Sequence, residues 1–346
     1  MLPYVMKILA IDTSCDDTSA AVLDDDRIKS SVVSSQIEIH KVWGGVVPNL
    51  AKRAHQDKID FVIDEALKKA GTEMGEIEVI AVTQGPGLSP ALGVGVDKAK
   101  ELAKKYKKRL VGVNHIEGHL LSVFLKDDKG EPDRKIELPA MALTVSGGHS
   151  MIVDVLPDFD FEVIGSTLDD AAGEALDKAS KLLGLGYPGG PIIEKMAKEG
   201  QDDFLKLPRP MKGAKGFDLS FSGLKTAFYY AIKDWGKEKI NKNVANLAAS
   251  FQVAVFDSLV GRLTKAIEEF GPKSLIGVGG VMNNENLRNR LAEVGRKMNL
   301  EVYFPYSKAL NGDNAAMIGM ASYRKALRGE FVADIDSFDR DARLGL

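Results

Sequence analysis

Short apolar runs alternate with longer stretches of helical periodicity along the whole chain. The short runs are bounded by polar or glycine-containing turns and predict buried strands. They cover residues 6–11, 19–23, 79–83, 110–113, 141–145, 151–156 and 274–278. The longer stretches repeat apolar residues every three or four positions and predict helices. They cover residues 48–70, the Lys-rich stretch after the loop 85–93, a stretch from about 115, and residues 170–183, 223–235, 244–270, 285–298 and 313–327.

Two segments repeat one pattern and indicate a duplicated domain. MKILAI, the turn DTSCDDT and SAAVL open the first half, whereas MALTV, the turn SGGHS and MIVDVL open the second. Strands that alternate with helices predict an α/β protein with helices on both faces of its sheets. The charged segment KDDKGEPDRK is the predicted linker. We therefore expect lobes at residues 1–130 and 136–328, a weakly structured tail at 329–346, and a ligand cleft between the lobes.

Composition and net charge exclude several classes of protein. The 346 residues include 46 Lys+Arg and 49 Asp+Glu, a net charge of −3, which excludes a generally basic nucleic-acid coat protein. No apolar run reaches the roughly 18 residues of a membrane span. The single cysteine, Cys15, excludes an intramolecular disulfide and a cysteine-built zinc site, and the acidic residues beside it would raise its pKa. A cytoplasmic protein without a membrane partner is expected.

Two basic stretches are candidate contacts for a polyanion. The first comprises Lys98, Lys100, Lys104, Lys105, Lys107, Lys108 and Arg109, and the second comprises Lys206, Arg209, Lys212 and Lys215. The first is typical of a solvated helix face. The second lies in a Gly/Pro-rich loop, so contact with phosphates and simple solvation both stay open.

A pair of histidines is the clearest chemical feature. His115 and His119 are four residues apart on a predicted helix, so both imidazoles can reach one metal ion. A zinc protease of the HExxH class would need Glu where the chain has Ile116, which disfavours that class. Asp313, before the last helix, is the candidate third ligand, and this set suits Fe²⁺ or Zn²⁺. A purely structural role for the pair stays open.

Glycine-rich turns follow strands in both halves, at residues 85–87, 146–148 and 277–280. Their backbone N–H groups can converge on a phosphate. For each turn alone tight turning is the better explanation, but their joint placement after strands in both halves favours a nucleotide held between the lobes. The GxGxxG at 184–189 follows a helix, not a strand, and is excluded as a dinucleotide fingerprint. We expect a nucleotide site in which GVGGVMNN holds the nucleoside. Asp177 and Glu194 are candidate ribose contacts or solvated helix charges.

The order of the motifs resembles a known family over nearly the whole chain. The motifs are DTSCDDT, GGVVPNLAKRAH, TQGPGL, NHIEGH, VSGGH, DDAAGEALDKASKLLGLGYPGGP, FSGLKT, GGVMNN and DNAAMIG. In this order they resemble the TsaD family of tRNA N6-adenosine threonylcarbamoyltransferases. The long DDAAGEALDK…YPGGP block and FSGLKT are similar to its bacterial branch.

The resemblance implies two duplicated actin-like ATPase (ASKHA, ribonuclease H-like) domains with an interdomain cleft and a C-terminal helix packed back on the first lobe. It implies transfer of a threonylcarbamoyl group from threonylcarbamoyl-AMP to N6 of the adenosine at position 37 in tRNAs that read ANN codons, forming t6A. It also implies one divalent metal, with Fe²⁺ favoured over Zn²⁺, and an ATP or AMP moiety with or without Mg²⁺. The implied partners are tRNA, a TsaB-like paralogue, a TsaE-like ATPase and an upstream threonylcarbamoyl-AMP synthase of the TsaC/Sua type.

Residue roles follow from the same resemblance. His115, His119 and Asp313 match the metal ligands. The matched nucleotide and acyl-adenylate contacts are Thr144, Val145, Ser146, Gly147, Gly148, Asp177, Gly190, Glu194 and Asn284. Asp17 and Ser146 match positions close to the reaction, with Asp12 and Asp17 standing where bacterial relatives usually have Glu. Asn114 replaces a frequent His and is not an expected ligand.

Two other functions stay open at this point. A non-catalytic actin-like scaffold subunit of the same complex is one, although such paralogues are shorter and lack the histidine pair. A sugar or acyl kinase of the same superfold is the other, but it would leave H-x-x-x-H unexplained.

Overall fold

The computed structural model describes residues 5–346. Residues 1–4, at the start of the predicted first lobe, lie outside the described residues. The chain forms two compact units. One contains the described residues up to Lys135 together with Pro305–Leu346, and the other is Ile136–Phe304. Residues 305–328, which the sequence pattern left within the 136–328 lobe, are thus part of the first unit.

Strands and helices alternate in both units. The strands are β1 Lys7–Asp12, β2 Asp17–Asp24, β3 Arg27–Ser35, β4 Val79–Gly85, β5 Arg109–Asn114, β6 Ala140–Val145, β7 Ser150–Val155, β8 Phe161–Ser166, β9 Ser274–Val278 and β10 Glu301–Tyr303. The helices are α1 Ile37–Lys41, α2 Pro48–Ala70, α3 Ser89–Tyr106, α4 His115–Leu121, α5 Ala172–Leu182, α6 Gly189–Ala197, α7 Ser222–Ile232, α8 Lys237–Lys242, α9 Val244–Phe270, α10 Glu285–Met298 and α11 Ala315–Leu327.

The two sheets have the same topology. Their strand orders are β3-β2-β1-β4-β5 and β8-β7-β6-β9-β10. In each sheet the first strand pairs antiparallel with the second and parallel with the fourth, so Leu9 lies opposite both Val22 and Ile80. This repetition confirms the duplicated α/β fold. Because β1, β4 and β5 are parallel, their carboxyl ends share one edge of the sheet, where ligands of α/β proteins collect.

Helices cover both faces of the first sheet. On one face, Val62 and Ile63 of α2 and Val96 of α3 pack with strand residues such as Leu9 and Val82, all nearly or fully buried. On the other face α11 packs against β1, β2, β5 and α4. This packing places the last helix, and the Asp313 that precedes it, beside the helix that carries the histidine pair.

The core of the second unit is built around α9. Its Phe251 and Phe256 are fully buried, as is Phe228 of α7. Helix α9 is the one described helix that is long and apolar enough to cross a membrane, and 61% of its apolar window is buried inside the protein. Its hydrophobicity is that of a core helix.

The tail after Gly329 contains neither helix nor strand, as expected, but it is packed. Phe338 is 9% exposed and belongs to the core of the first unit. The Val332 N–H donates to the Leu110 carbonyl at 2.8 Å, and the Asp341 N–H donates to the Gln84 carbonyl at 2.9 Å. Backbone hydrogen bonds to the ends of β4 and β5 therefore replace the regular structure that the sequence lacks.

Candidate functional site

Two histidines and one aspartate converge in the first unit. Asp313 Oδ1 lies 3.6 Å from His115 Nε2 and 3.2 Å from His119 Nε2, and one ligand atom from each residue lies within 4.8 Å of the others. His119 is fully buried and His115 is 4% exposed. These separations match ligands that share one ion with bonds of roughly 2.0–2.2 Å. The structure thus brings together the three predicted metal ligands.

Helix α4 presents the histidines because it begins directly at the end of β5. Asn114 caps it: its Oδ1 accepts from the Ile116 N–H at 2.8 Å and from the Glu117 N–H at 3.4 Å. A Cβ at Gly118 would lie 3.0 Å from Ile318 Cδ1, so glycine permits the close approach of α11. Asn114 is therefore a helix cap, consistent with the expectation that it is not a ligand.

Asp313 and Asn314, which precede α11, have different roles. Asn314 caps the helix, since its Oδ1 accepts from the Met317 N–H at 3.1 Å, and its Nδ2 donates to the Gly312 carbonyl at 2.8 Å. This leaves Asp313 outside the helix, with its carboxylate against the imidazoles. The cap fixes the backbone from which the third ligand projects.

The electrostatics of the cluster suit a cation. Burial favours neutral Asp313, but the neighbouring His115 and His119 hold its pKa well below its usual range. Burial opposes protonation of His115, yet the Asp313 carboxylate raises the His115 pKa to about 8. Burial and the charge of His115 lower the pKa of His119.

The donor set therefore fits a divalent metal. Both ring nitrogens of His119 are buried and make no well-formed hydrogen bond within the described part of the chain. The neutral imidazole favoured at His119 is the form that binds metals. The Asp313 side chain is 23% exposed and its depressed pKa keeps it ionised, so it supplies an anionic oxygen ligand beside the two imidazoles.

Acidic residues of the β1–β2 turn lie close to this cluster. Asp12 is fully buried, and its Oδ1 accepts from Thr83 Oγ1 at 2.7 Å and from the Ser14 N–H at 3.0 Å. Burial, reinforced by the charges of Asp16 and Asp313, raises the pKa of Asp17 to about 7. Asp17 is thus a half-buried carboxyl whose pKa is raised toward neutral pH.

The thiol in the same turn is disfavoured as a nucleophile by its raised pKa. Burial, reinforced by Asp16, raises the pKa of Cys15 well above its usual range, in the direction that the sequence predicts. The turn is held by His55 of α2, whose Nδ1 lies 2.8 Å from Thr18 Oγ1 and whose Nε2 lies 3.0 Å from the Cys15 carbonyl. The role of His55 could not be predicted, because a histidine in the KRAH segment carries no local signal of a contact with residues about 40 positions away.

In the second unit, the SGG turn follows β6, whose last residues are Thr144 and Val145. The Ser146 N–H donates to the His149 carbonyl at 2.8 Å, and the His149 N–H donates to Ser146 Oγ at 3.0 Å. Gly147 and Gly148 are exposed, with no atom within 4 Å of a Cβ built on either. The tip of the turn therefore has room for a ligand beside its backbone.

A cavity of about 200 Å³ opens beside this turn within the second unit. Its lining includes the predicted residues Gly147, Asp177, Gly190, Glu194 and Asn284, together with Gly173, Leu176, Tyr187, Pro188, Pro191, Gly280, Val281 and Asn283. Thr144, Val145, Ser146 and Gly148 belong to β6 and the turn that flank Gly147. Several predicted nucleotide residues thus surround one cavity.

The polar side chains that line the cavity also connect the helices around it by hydrogen bonds. Asp177 Oδ1 accepts from the Gly189 N–H at 2.6 Å, which ties α5 to the start of α6. Glu194 Oε1 accepts from the Glu285 N–H at 2.9 Å, which ties α6 to α10. These two carboxylates therefore stabilise the arrangement of α5, α6 and α10 and are also candidate ribose contacts.

Asn284 also connects helices beside the cavity. Its Oδ1 caps α10 by accepting from the Asn286 N–H at 3.0 Å, and its Nδ2 donates to Gln252 Oε1 at 2.8 Å. Gln252, on α9, is only 6% exposed. Sequence reasoning missed it, because an isolated Gln in a helix gives no sign of a partner 32 residues away.

The two basic stretches differ in which of their cations form ion pairs. In the first, Lys98 pairs with Asp60 and Glu101, and Lys104 pairs with Asp336. In the second, Arg209 pairs with Asp257 at 2.7 Å. The other members, Lys206, Lys212 and Lys215, are exposed and form no ion pair with any residue from 5 to 346. Within residues 5–346, both stretches therefore keep exposed lysines without an ion pair: Lys105 and Lys107 in the first, and Lys206, Lys212 and Lys215 in the second.

Solved structures share the fold. HypF from T. kodakarensis matches with a TM-score of 0.60 and 14% identity over 95% of this chain and 50% of its own. An activator of the 2-hydroxyisocaproyl-CoA dehydratase from Clostridium difficile matches with a TM-score of 0.51 and 14% identity over 95% of this chain and 99% of its own. Such distant likenesses show the fold alone, the duplicated actin-like ATPase fold.

Sequence relatives identify the family. A family model described as TsaD, tRNA N6-adenosine threonylcarbamoyltransferase, matches residues 27–320. Proteins of that name from Thermosipho africanus and Clostridium beijerinckii are 44% and 47% identical to this chain. The alignments cover 94% and 91% of this chain, and 96% and 91% of the relatives. The chain therefore belongs to the TsaD family of tRNA N6-adenosine threonylcarbamoyltransferases.

Proposed function

We propose that this chain forms t6A in tRNA by using the cavity of the second unit for the nucleotide of threonylcarbamoyl-AMP and the cluster of the first unit for a catalytic metal. Membership of the family establishes the acyltransferase activity. The preformed cluster of His115, His119 and Asp313 carries the proposal of a metal. Its ligand set is that of Fe²⁺ or Zn²⁺, and we favour Fe²⁺.

The second unit supplies the donor site. The activator from Clostridium difficile that shares this fold was solved with ADPNP bound, which supports a nucleotide in the equivalent fold here. Gly147 and Gly148 present backbone N–H groups to a phosphate, and the exposed turn leaves space for it. Asp177, Glu194 and Asn284 surround the nucleoside. Mg²⁺ with the phosphate is compatible with this arrangement.

The first unit supplies the chemistry. The N6 amine of adenosine is a poor nucleophile because its lone pair is delocalised into the ring, so an activated and well-placed carbonyl is needed. A divalent cation held by His115, His119 and Asp313 supplies Lewis acidity toward the threonylcarbamoyl carbonyl when it is bound. N6 bonds to the carbonyl carbon, the bond between that carbon and the phosphate oxygen breaks, and AMP leaves. Asp17, with a pKa of about 7, is the group that we assign to accept the proton that N6 releases. Ser146 orients the donor through the turn that it closes.

Partners complete the pathway in the cytoplasm. An upstream threonylcarbamoyl-AMP synthase of the TsaC/Sua type supplies the donor. A TsaB-like paralogue and a TsaE-like ATPase assist turnover. These assignments rest on family resemblance, and assays should therefore include those proteins.

The test is mass spectrometry of nucleosides from tRNA incubated with the chain, threonylcarbamoyl-AMP and the partners, beside metal analysis of the same protein. We expect Asp313→Asn to lose its metal and to lower t6A formation by about two orders of magnitude or more, since a ligand of a catalytic metal is removed. Asp64→Asn, which changes an exposed aspartate of α2, is the matched control and should retain both. Full transfer by metal-free Asp313→Asn would contradict the proposed role of the metal.

A further inference from the structure

The corner where α7 ends and α8 begins carries an exposed set of aromatic rings. Tyr229 and Tyr230 are 47% and 61% exposed, and Phe204, from the segment that leads into the second basic stretch, is 39% exposed. Phe204 meets Trp235 edge to face at 6.4 Å, so the corner and that segment form one surface. Leu224, Phe228 and Ile232 bury the inner face of α7, and the tyrosines occupy the outer one.

Lysines accompany these rings. Lys239 Nζ lies 3.8 Å from the centroid of the Trp235 ring, and Lys233 Nζ lies 5.1 Å from that of Tyr230. Lys237 and Lys242 are also exposed. None of these four lysines forms an ion pair with another described residue. We call this surface, formed by Phe204, Tyr229, Tyr230, Lys233, Trp235 and Lys239, the aromatic–lysine face.

We infer that the aromatic–lysine face binds unpaired nucleotides of the tRNA substrate, with Tyr230 and Trp235 stacking on bases and Lys233 and Lys239 pairing with the backbone. The inference rests on the proposed function, in which tRNA is the acceptor. Exposed aromatic rings alternating with cations are the feature by which proteins bind single-stranded nucleic acid. Tyr230 is 61% exposed, so its ring retains surface on which a base can stack, whereas Trp235 is half-buried against the core of the second unit.

The unpaired lysines of the aromatic–lysine face favour RNA over a protein as its binding partner. Lysine is depleted in protein–protein interfaces, whereas unpaired lysines are the usual phosphate contacts. The neighbouring loop adds Lys206, Lys212 and Lys215, which are likewise exposed. Residues 204–217 contain no acidic residue at all. The loop and the corner therefore both present lysines to a polyanion, with the exposed Asp234 and Glu238 interspersed among the lysines of the corner.

Binding of an unmodified transcript of a tRNA that reads an ANN codon to the full chain tests the stacking. We expect Tyr230→Ala to weaken binding about tenfold, because the ring on which a base stacks is removed. Tyr230→Phe should retain affinity, since the ring remains. Tyr230 is largely exposed and caps no core residue, so both variants should unfold at the same urea concentration as the unsubstituted chain.

A salt series tests the charge. Lys233→Ala with Lys239→Ala should reduce the slope of log affinity against log salt by about 1.4, at roughly 0.7 for each single-strand phosphate that a lysine no longer neutralises. The matched control is Lys58→Ala with Lys69→Ala, which removes two exposed lysines of α2 in the first unit that lie outside both basic stretches. That control should change neither affinity nor slope.

Unchanged tRNA affinity and an unchanged salt slope in the Tyr230 and lysine variants would overturn the inference. The same holds if those variants bind tRNA normally but lose association with a partner protein. If t6A is still formed in that experiment, the proposed function stands and only the placement of the tRNA is wrong. Absence of t6A from the unsubstituted chain with all partners would overturn the proposed function, and this inference with it.

Discussion

Asp17 is a half-buried carboxyl whose protonation changes within the working pH range. Burial raises its pKa in the folded chain to about 7, from 3.8 when unperturbed. Between these values the folded state binds more protons than the unfolded state, so this residue makes the protein less stable as the pH rises through that window. The cost levels off above pH 7.

Replacing Asp17 with Asn removes this dependence. In metal-free protein we expect Asp17→Asn to match the unsubstituted chain near pH 4 and to exceed its free energy of unfolding by about 2–4 kcal/mol at pH 8. Urea unfolding at several pH values measures the difference. Asp57→Asn, an exposed aspartate of α2, should show no such divergence. A constant gap between Asp17→Asn and the unsubstituted chain from pH 4 to 8 would mean that Asp17 does not titrate there.

The residues of the His115–His119–Asp313 cluster could be predicted, whereas the residues that support them could not. His115 and His119 are placed on one helix face by spacing alone, and a carboxylate before another helix is a simple candidate. His55 and Gln252 have no local signal, because their roles depend on partners 40 and 32 residues away. The same limit applies to Asn284, whose capping role is local but whose amide partner is not.

Elements with a strong local signal matched the prediction closely. The bounds predicted for α2, α9, β9 and α10 agree with the structure, and glycines with φ of +60° terminate both α2 and α9. Strands β3, β8 and β10 were missed. β3 contains four serines and alternates exposed with buried residues, and β10 has only three residues. Their pairing with neighbouring strands stabilises them, and a single segment does not reveal its neighbours.

Helix α7 depends on a cap supplied from another loop. Asp169 accepts from the Phe221 N–H at 2.7 Å and from the hydroxyls of Ser220 and Ser222 at 2.6 Å. Burial opposes ionisation, but these hydrogen bonds lower the pKa of Asp169 to about 2. The DDAAGEALDK block is thereby fixed to the FSGLKT motif.

We expect Asp169→Ala to lower the free energy of unfolding by about 1–2 kcal/mol at pH 7, the usual effect of losing a helix cap. Because the folded pKa is depressed, the difference should be complete above about pH 4 and should shrink as the pH falls toward 2. Urea unfolding between pH 3 and 7 measures it. Asp203→Ala changes an exposed aspartate and is the control; an equal loss in both variants would show that the cap contributes nothing specific.

At the scale of the whole molecule, the first unit is assembled from two distant parts of the chain. The duplicated hairpins made the duplication predictable, but nothing local assigns residues 305–346 to the first unit, because that assignment is made by packing. The return of the chain also brings the tail to the helix that carries His115 and His119. Asn114 Nδ2 donates to the Gly345 carbonyl at 2.8 Å and to the Leu344 carbonyl at 3.4 Å. The residue that caps the histidine helix is therefore held by the last residues of the tail.

Deletion of residues 344–346 should consequently loosen the cap and weaken metal binding about tenfold, as loss of an outer partner of a metal site generally does. Zn²⁺ titration against a chromophoric chelator measures this affinity, and nucleotide affinity of the second unit should stay unchanged. In an Asn114→Ala background the same deletion should have little further effect, because the tail acts through the amide that is already missing. Equal weakening in both backgrounds would show that the tail supports the cluster by another route, through its packing on β4 and β5, and not through Asn114.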